Sequence, residues 1–142
     1  MPNQRAAFTL IELLIVVVII GILAVMAIPK FASTKEKAYF ATMKGDLRNL
    51  ATAQEGYAAD NNGMYASGTT TGPASLPGIT YAPSTGVTMV VTASLMGWEA
   101  IASMPAPGTT KICGMFISND DPPVPPGPPN PATNTGEPKC AP

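Results

Sequence analysis

The stretch FTLIELLIVVVIIGILAVMAI occupies residues 8–28 and holds a single ionisable side chain, Glu12. At about 1.5 Å per helical residue it reaches roughly 30 Å, the thickness of a bilayer's hydrocarbon core. A carboxylate is costly to bury inside such a span, so it marks a functional position and requires a partner.

Beyond the span the helical pattern persists. Phe40, Met43, Leu47, Leu50, Gln54 and Tyr57 recur every three or four residues, with Lys35, Glu36, Lys37, Lys44, Asp46, Arg48 and Glu55 between them. This amphipathic stripe must pack on another layer, and a sheet is expected. Gly21 and Pro29 are expected kink positions: glycine loosens a helix, and proline removes one hydrogen bond and bends the axis. Asp60-Asn61-Asn62-Gly63 tolerates left-handed backbone, so the helix is expected to stop there. One continuous kinked helix is predicted over residues 9–59, about 75 Å long.

Residues 66–86 are rich in Ser, Thr, Gly and Pro and read as a loop with a short strand at 79–81. VTMVVT (87–92), GWEAIAS (97–103) and KICGMFIS (111–118) are β-prone runs separated by turn-rich pieces such as Pro105-Ala106-Pro107-Gly108, which predicts an antiparallel meander. The tail carries Pro122, Pro123, Pro125, Pro126, Pro128, Pro129 and Pro131. It favours extended polyproline backbone, read as a stiff strap near Cys140 in preference to a ligand for aromatic grooves.

Of 142 residues, 8 are Lys or Arg and 9 Asp or Glu; His is absent and Cys113 and Cys140 are the cysteines. Large aliphatics are scarce beyond the first thirty residues, so the globular part can bury only a thin core. A near-zero net charge without a basic stripe disfavours nucleic acid as the primary ligand. Without His, a Ser/His/Asp or Cys/His set, a phosphate loop or a paired-carboxylate cleft, neither an enzyme nor a cofactor or metal site is expected. In an oxidising compartment Cys113 and Cys140 would close a loop of 26 intervening residues, stabilising by roughly 3 kcal/mol; two free thiols in a cytoplasmic tail are the other reading. The expected fold is thus α+β: a long N-terminal helix, membrane-spanning in its first half, on an antiparallel sheet of about three strands, with a disulfide-pinned tail.

A polar leader, MPNQRAA with Arg5, precedes the span. Ala7-Phe8-Thr9-Leu10-Ile11-Glu12-Leu13-Leu14, followed by Gly21 and Pro29, resembles the N-terminus of type IV pilins and pseudopilins. The resemblance implies that a prepilin peptidase cuts between Ala7 and Phe8 on the cytoplasmic side and N-methylates Phe8. The family usually has Gly where this chain has Ala7. It also implies that Glu12 pairs with the freed Phe8 amine, four residues along the helix and so near the same bilayer level, preferentially in the adjacent subunit, as an assembly determinant. Lys30, Lys35 and Lys37 follow the span while Arg5 precedes it, a charge balance opposite to the positive-inside preference; the motif decides the orientation.

The division that follows is residues 1–7 leader, 8–29 transmembrane assembly helix, 30–60 amphipathic half, 61–86 loop, and 87–142 sheet and proline-rich tail. The resemblance implies a subunit of an extracellular type IV pilus for adhesion, twitching motility or DNA uptake. It would be held in the inner membrane as a prepilin, then polymerised as a helical homo-oligomer by an inner-membrane assembly platform and an assembly ATPase. A pseudopilin of type II secretion is the alternative, and an exported binding domain with a signal cleaved after Ala24, Ala27 or Ala32 is the second. Asn119, Asp120 and Asp121 could offer oxygens to calcium but read as a polar turn. Trp98, Tyr57, Tyr65, Tyr81 and Phe116 read as buried or scattered aromatics, and Ser67, Thr69, Thr70 and Thr71 as loop hydroxyls open to sugars.

Overall fold

In the computed structural model, which describes residues 7–106, 109–118 and 129–141, a single helix, α1 (Leu10–Asp60), is followed by five strands. These are β1 (Gly68–Thr71), β2 (Thr88–Ser94), β3 (Gly97–Ala106), β4 (Thr109–Ser118) and β5 (Lys139–Cys140), hydrogen-bonded in chain order, each antiparallel to the next. The chain divides into two units, Met1–Lys37 and Ala38–Pro142.

In the first unit the helix runs through Gly21, and α1 continues without a break across Pro29. Ser33 and Thr34 both donate their hydroxyls to the Lys30 carbonyl, at 2.9 and 3.0 Å, local bonding that ties down the turn after the proline. The helix ends where turn chemistry requires. Asn62 and Gly63 adopt φ of 56° and 79°, and the Gly63 amide donates to the Ala58 carbonyl at 2.8 Å, closing the last turn with left-handed residues.

In the second unit the predicted stripe is the core. Met43, Leu47, Leu50 and Gln54 are fully buried, and the three apolar members share a cluster with Met89, Val91, Trp98, Ala100, Ala102, Met104, Cys113 and Met115. Along β3, Trp98, Ala100, Ala102 and Met104 alternate as the buried set, as a half-buried strand demands. Gln54 is polar yet buried because its amide copies a strand partner: Nε2 donates to the Ala66 carbonyl at 2.7 Å and Oε1 accepts the Ala66 amide at 2.9 Å. Both halves of the side chain are satisfied, so burial carries no desolvation penalty for an orphaned group.

The sheet departs from expectation in three ways. It has five strands where three were predicted. β1 (GTTT) lies within the region read as loop, since an edge strand of threonines with only Thr70 buried shows no apolar alternation. Residues 79–81 are turn, with the Ile79 amide donating to the Leu76 carbonyl and the Tyr81 amide to the Ile79 carbonyl, at 3.3 and 2.9 Å. β3 and β4 also outrun the predicted runs, to Ala106 and from Thr109.

The Cys113–Cys140 disulfide is formed, and the same residues are a register pair joining β4 to β5. β5 is only two residues long, so the covalent link reinforces a short ladder in holding the tail. From Asn130 the chain returns over β4, where the Gly136 amide donates to the Phe116 carbonyl at 2.8 Å. Buried Asn130 fixes this crossing: Nδ2 lies 3.4 Å from the Met115 carbonyl and 3.5 Å from that of Ala100, and Oδ1 accepts the Ala132 amide at 3.0 Å. A Cβ at Gly114 would overlap Asn130 Oδ1, so only glycine admits the strap. The prolines from Pro122 to Pro128, and Asn119, Asp120 and Asp121, lie outside the described residues.

Candidate functional site

The candidate site is built on the first turns of α1. Ala7 and Phe8 lie ahead of the helix, both exposed, Phe8 at 89%. The Ala7–Phe8 peptide bond therefore sits in non-helical backbone, the form in which a peptidase can engage a chain. Thr9 occupies the N-cap, with Leu10 as the first helical residue.

Glu12 is the third helical residue, and its carboxylate turns back on the cap. Oε2 accepts the Thr9 amide at 2.9 Å and the Thr9 hydroxyl at 2.8 Å, while the Glu12 amide donates to Thr9 Oγ1 at 3.3 Å. This reciprocal arrangement is a capping box, which satisfies otherwise orphaned donors at a helix start. It holds the carboxylate beside Thr9, one residue from the Phe8 nitrogen that cleavage would turn into an amine. Thr9 was missed as a functional residue, although the spacing Thr9-Leu10-Ile11-Glu12 ahead of an apolar run is the readable signal of such a box.

From Leu10 to Ile28 the large apolar side chains are about half exposed or more, right around the helix. The segment is long and apolar enough to cross a membrane. A face of this size in water would be an association site. Among the described residues nothing lies within 4 Å on the side-chain side of Gly21, so a neighbouring helix could approach closely there.

In the second unit a second set was not anticipated. Asp46 is buried on the helix and accepts two hydrogen bonds from Ser84, the amide to Oδ2 and the hydroxyl to Oδ1, both at 3.0 Å. The Tyr81 hydroxyl donates to the Asp46 carbonyl at 2.8 Å. Burial, with the Asp46 carboxylate adding to it, pushes the Tyr81 phenol above its ordinary range. This is a latch between helix and loop, a structural use of the residues. Trp98 and Phe116 are buried, Thr70 is buried, and Ser67 Oγ accepts the Ala93 amide at 2.8 Å.

Residues 2–28 match the model of the prokaryotic N-terminal methylation motif. Over 59 residues the chain is 43% identical to the type II secretion system core protein G of Pseudomonas aeruginosa, covering 42% of each protein. It is 44% identical over 61 residues to the type IV major pilin protein PilA of Myxococcus xanthus, covering 43% of this chain and 27% of that protein. Core protein G of Aeromonas hydrophila is 39% identical over 60 residues, 42% of each. The matched region spans less than half the length of these relatives. No solved structure is significantly similar. The methylation motif at its start, the likeness to these relatives over about 60 residues, and a long apolar helix leading into an antiparallel sheet make the chain similar to type IV pilins and pseudopilins.

Proposed function

We propose that this chain is a structural subunit, not an enzyme, matured by cleavage between Ala7 and Phe8 and polymerised into a type IV pilus. The observation that carries the reading is an apolar helix from Leu10 to Ile28 whose large side chains stand exposed among the described residues, beginning in a capped carboxylate, Glu12, the fifth residue after the cut. Before assembly the bilayer covers that helix. After assembly copies of the same helix cover it, and contacts that repeat without closing a ring give a fibre.

Glu12 has two roles in this account. In the single chain its carboxylate is held in cis by Thr9. In the fibre the ammonium of a neighbouring Phe8 joins it and sets the axial register, because an unpaired carboxylate in an apolar bundle costs several kcal/mol. The disulfide-closed tail favours the pilus reading. The second reading, a pseudopilin of a type II secretion system, is favoured by the relatives named core protein G.

Deleting the chain and scoring both surface fibres and protein export separates them. Loss of fibres with normal export supports the pilus, and loss of export with normal fibres the pseudopilin. Loss of neither overturns both.

A further inference from the structure

The helix leaves its apolar span through a collar of cations. Lys30, Lys35 and Lys37 follow Ile28 within nine residues, with Glu36 the one acid among them, and all three lysines are exposed. By helical rise they stand about 3, 10 and 13 Å past Ile28. Headgroups occupy roughly 5–8 Å beyond the hydrocarbon on each side, and lysine stems reach back several ångströms more. Lys30 and Lys37, seven apart, share a face, while Lys35 projects about 140° away. The charges therefore surround the helix.

Lys35 Nζ sits 5.1 Å over the Phe31 ring, and Phe31 is exposed. A ring with an ammonium above it, three residues beyond the span, is an amphipathic pair suited to a membrane–water interface. Ser33 and Thr34 have turned their hydroxyls inward to the Lys30 carbonyl, which leaves the lysines as the outward donors of this turn. Positive charge at this end also works against an orientation with the N-terminus in the cytoplasm, so orientation does not account for it.

We propose that Lys30, Lys35 and Lys37 bind the phosphates of anionic phospholipids in the leaflet at the C-terminal end of the span, fixing the depth of the unassembled subunit. This rests on the reading of residues 8–28 as membrane-spanning. The full chain is reconstituted in phosphatidylcholine vesicles carrying either spin-labelled phosphatidylglycerol or spin-labelled phosphatidylcholine. Motionally restricted lipid is then measured for the wild type and for the K30Q/K35Q/K37Q variant. The wild type is expected to prefer phosphatidylglycerol roughly fivefold, less so at high salt, and the variant to show no preference. No preference in the wild type, or an unchanged one in the variant, overturns the proposal. Alkaline extraction beforehand separates the two failures: a chain released by alkali defeats the spanning reading itself, whereas a retained chain without preference defeats only the collar. If the variant keeps its lipid preference but loses subunit cross-linking, the collar faces a second copy and the proposal is wrong.

Discussion

Thr9 and Glu12 satisfy each other across the first turn of the helix, with Oε2 of Glu12 taking both the Thr9 amide and hydroxyl and the Glu12 amide returning to Thr9 Oγ1. The carboxylate that a fibre would need for register is thus already oriented in the isolated chain. Its remaining acceptor capacity is what a neighbouring amine would use.

Removing each member should have different effects. Glu12→Val should leave membrane insertion intact, as judged by resistance to alkaline extraction, and cut the yield of sheared filaments at least tenfold. Thr9→Val keeps the branched shape but loses the hydroxyl, costing about 1 kcal/mol at the cap, and should lower the yield only mildly. Equal yields from both variants would separate Glu12 from assembly.

The strap over β4 depends on the absence of a side chain at residue 114. Gly114→Ala should displace Asn130, leave buried carbonyls short of donors and destabilise the second unit by about 2–3 kcal/mol. In an Asn130→Ala background the same change should cost appreciably less, and a double-mutant cycle by chemical unfolding measures the coupling.

Opening the disulfide acts on the same strap from its other end. Cys113→Ser/Cys140→Ser should cost about 3 kcal/mol through the lost constraint on the unfolded chain. Thermal unfolding of the detergent-solubilised chain should then fall by about 10 °C.

The Tyr81 phenol is raised on folding by burial and by Asp46, which gives its linkage a definite sign. The unfolded chain gives up this proton at about pH 10 while the folded chain still holds it. Stability is therefore complete below that pH and is lost as pH rises past it toward the folded value. Tyr81→Phe should flatten the alkaline limb of a stability–pH curve, at the cost of about 1 kcal/mol at neutral pH for the lost bond to the Asp46 carbonyl.

The helix was legible because its signals are local and repeated: the apolar run, the stripe from Phe40 to Tyr57, and the stop at Asn61-Asn62-Gly63. The inner strands were legible from the same logic at period two. β1 and β5 were not, since their pairing is set by partners far along the chain, Val91 opposite Gly68 and Cys113 opposite Cys140, and short threonine or Lys-Cys segments carry no pattern of their own. Asp46 looked like a solvated charge on the wet face, and nothing local to it announces Ser84, 38 residues away. At the candidate site Thr9 went unread, although Thr9-Leu10-Ile11-Glu12 spells out the capping box that the structure forms.

The central claim is that this chain is cut between Ala7 and Phe8 and methylated on the new terminus, which exposes the amine that Glu12 is oriented to meet. Mass analysis of the N-terminal peptide of the membrane-bound or filament form tests it directly. The account predicts a chain lacking residues 1–7 and beginning with N-methylated Phe8. A terminus at Met1, or one after Ala24, Ala27 or Ala32, would contradict it.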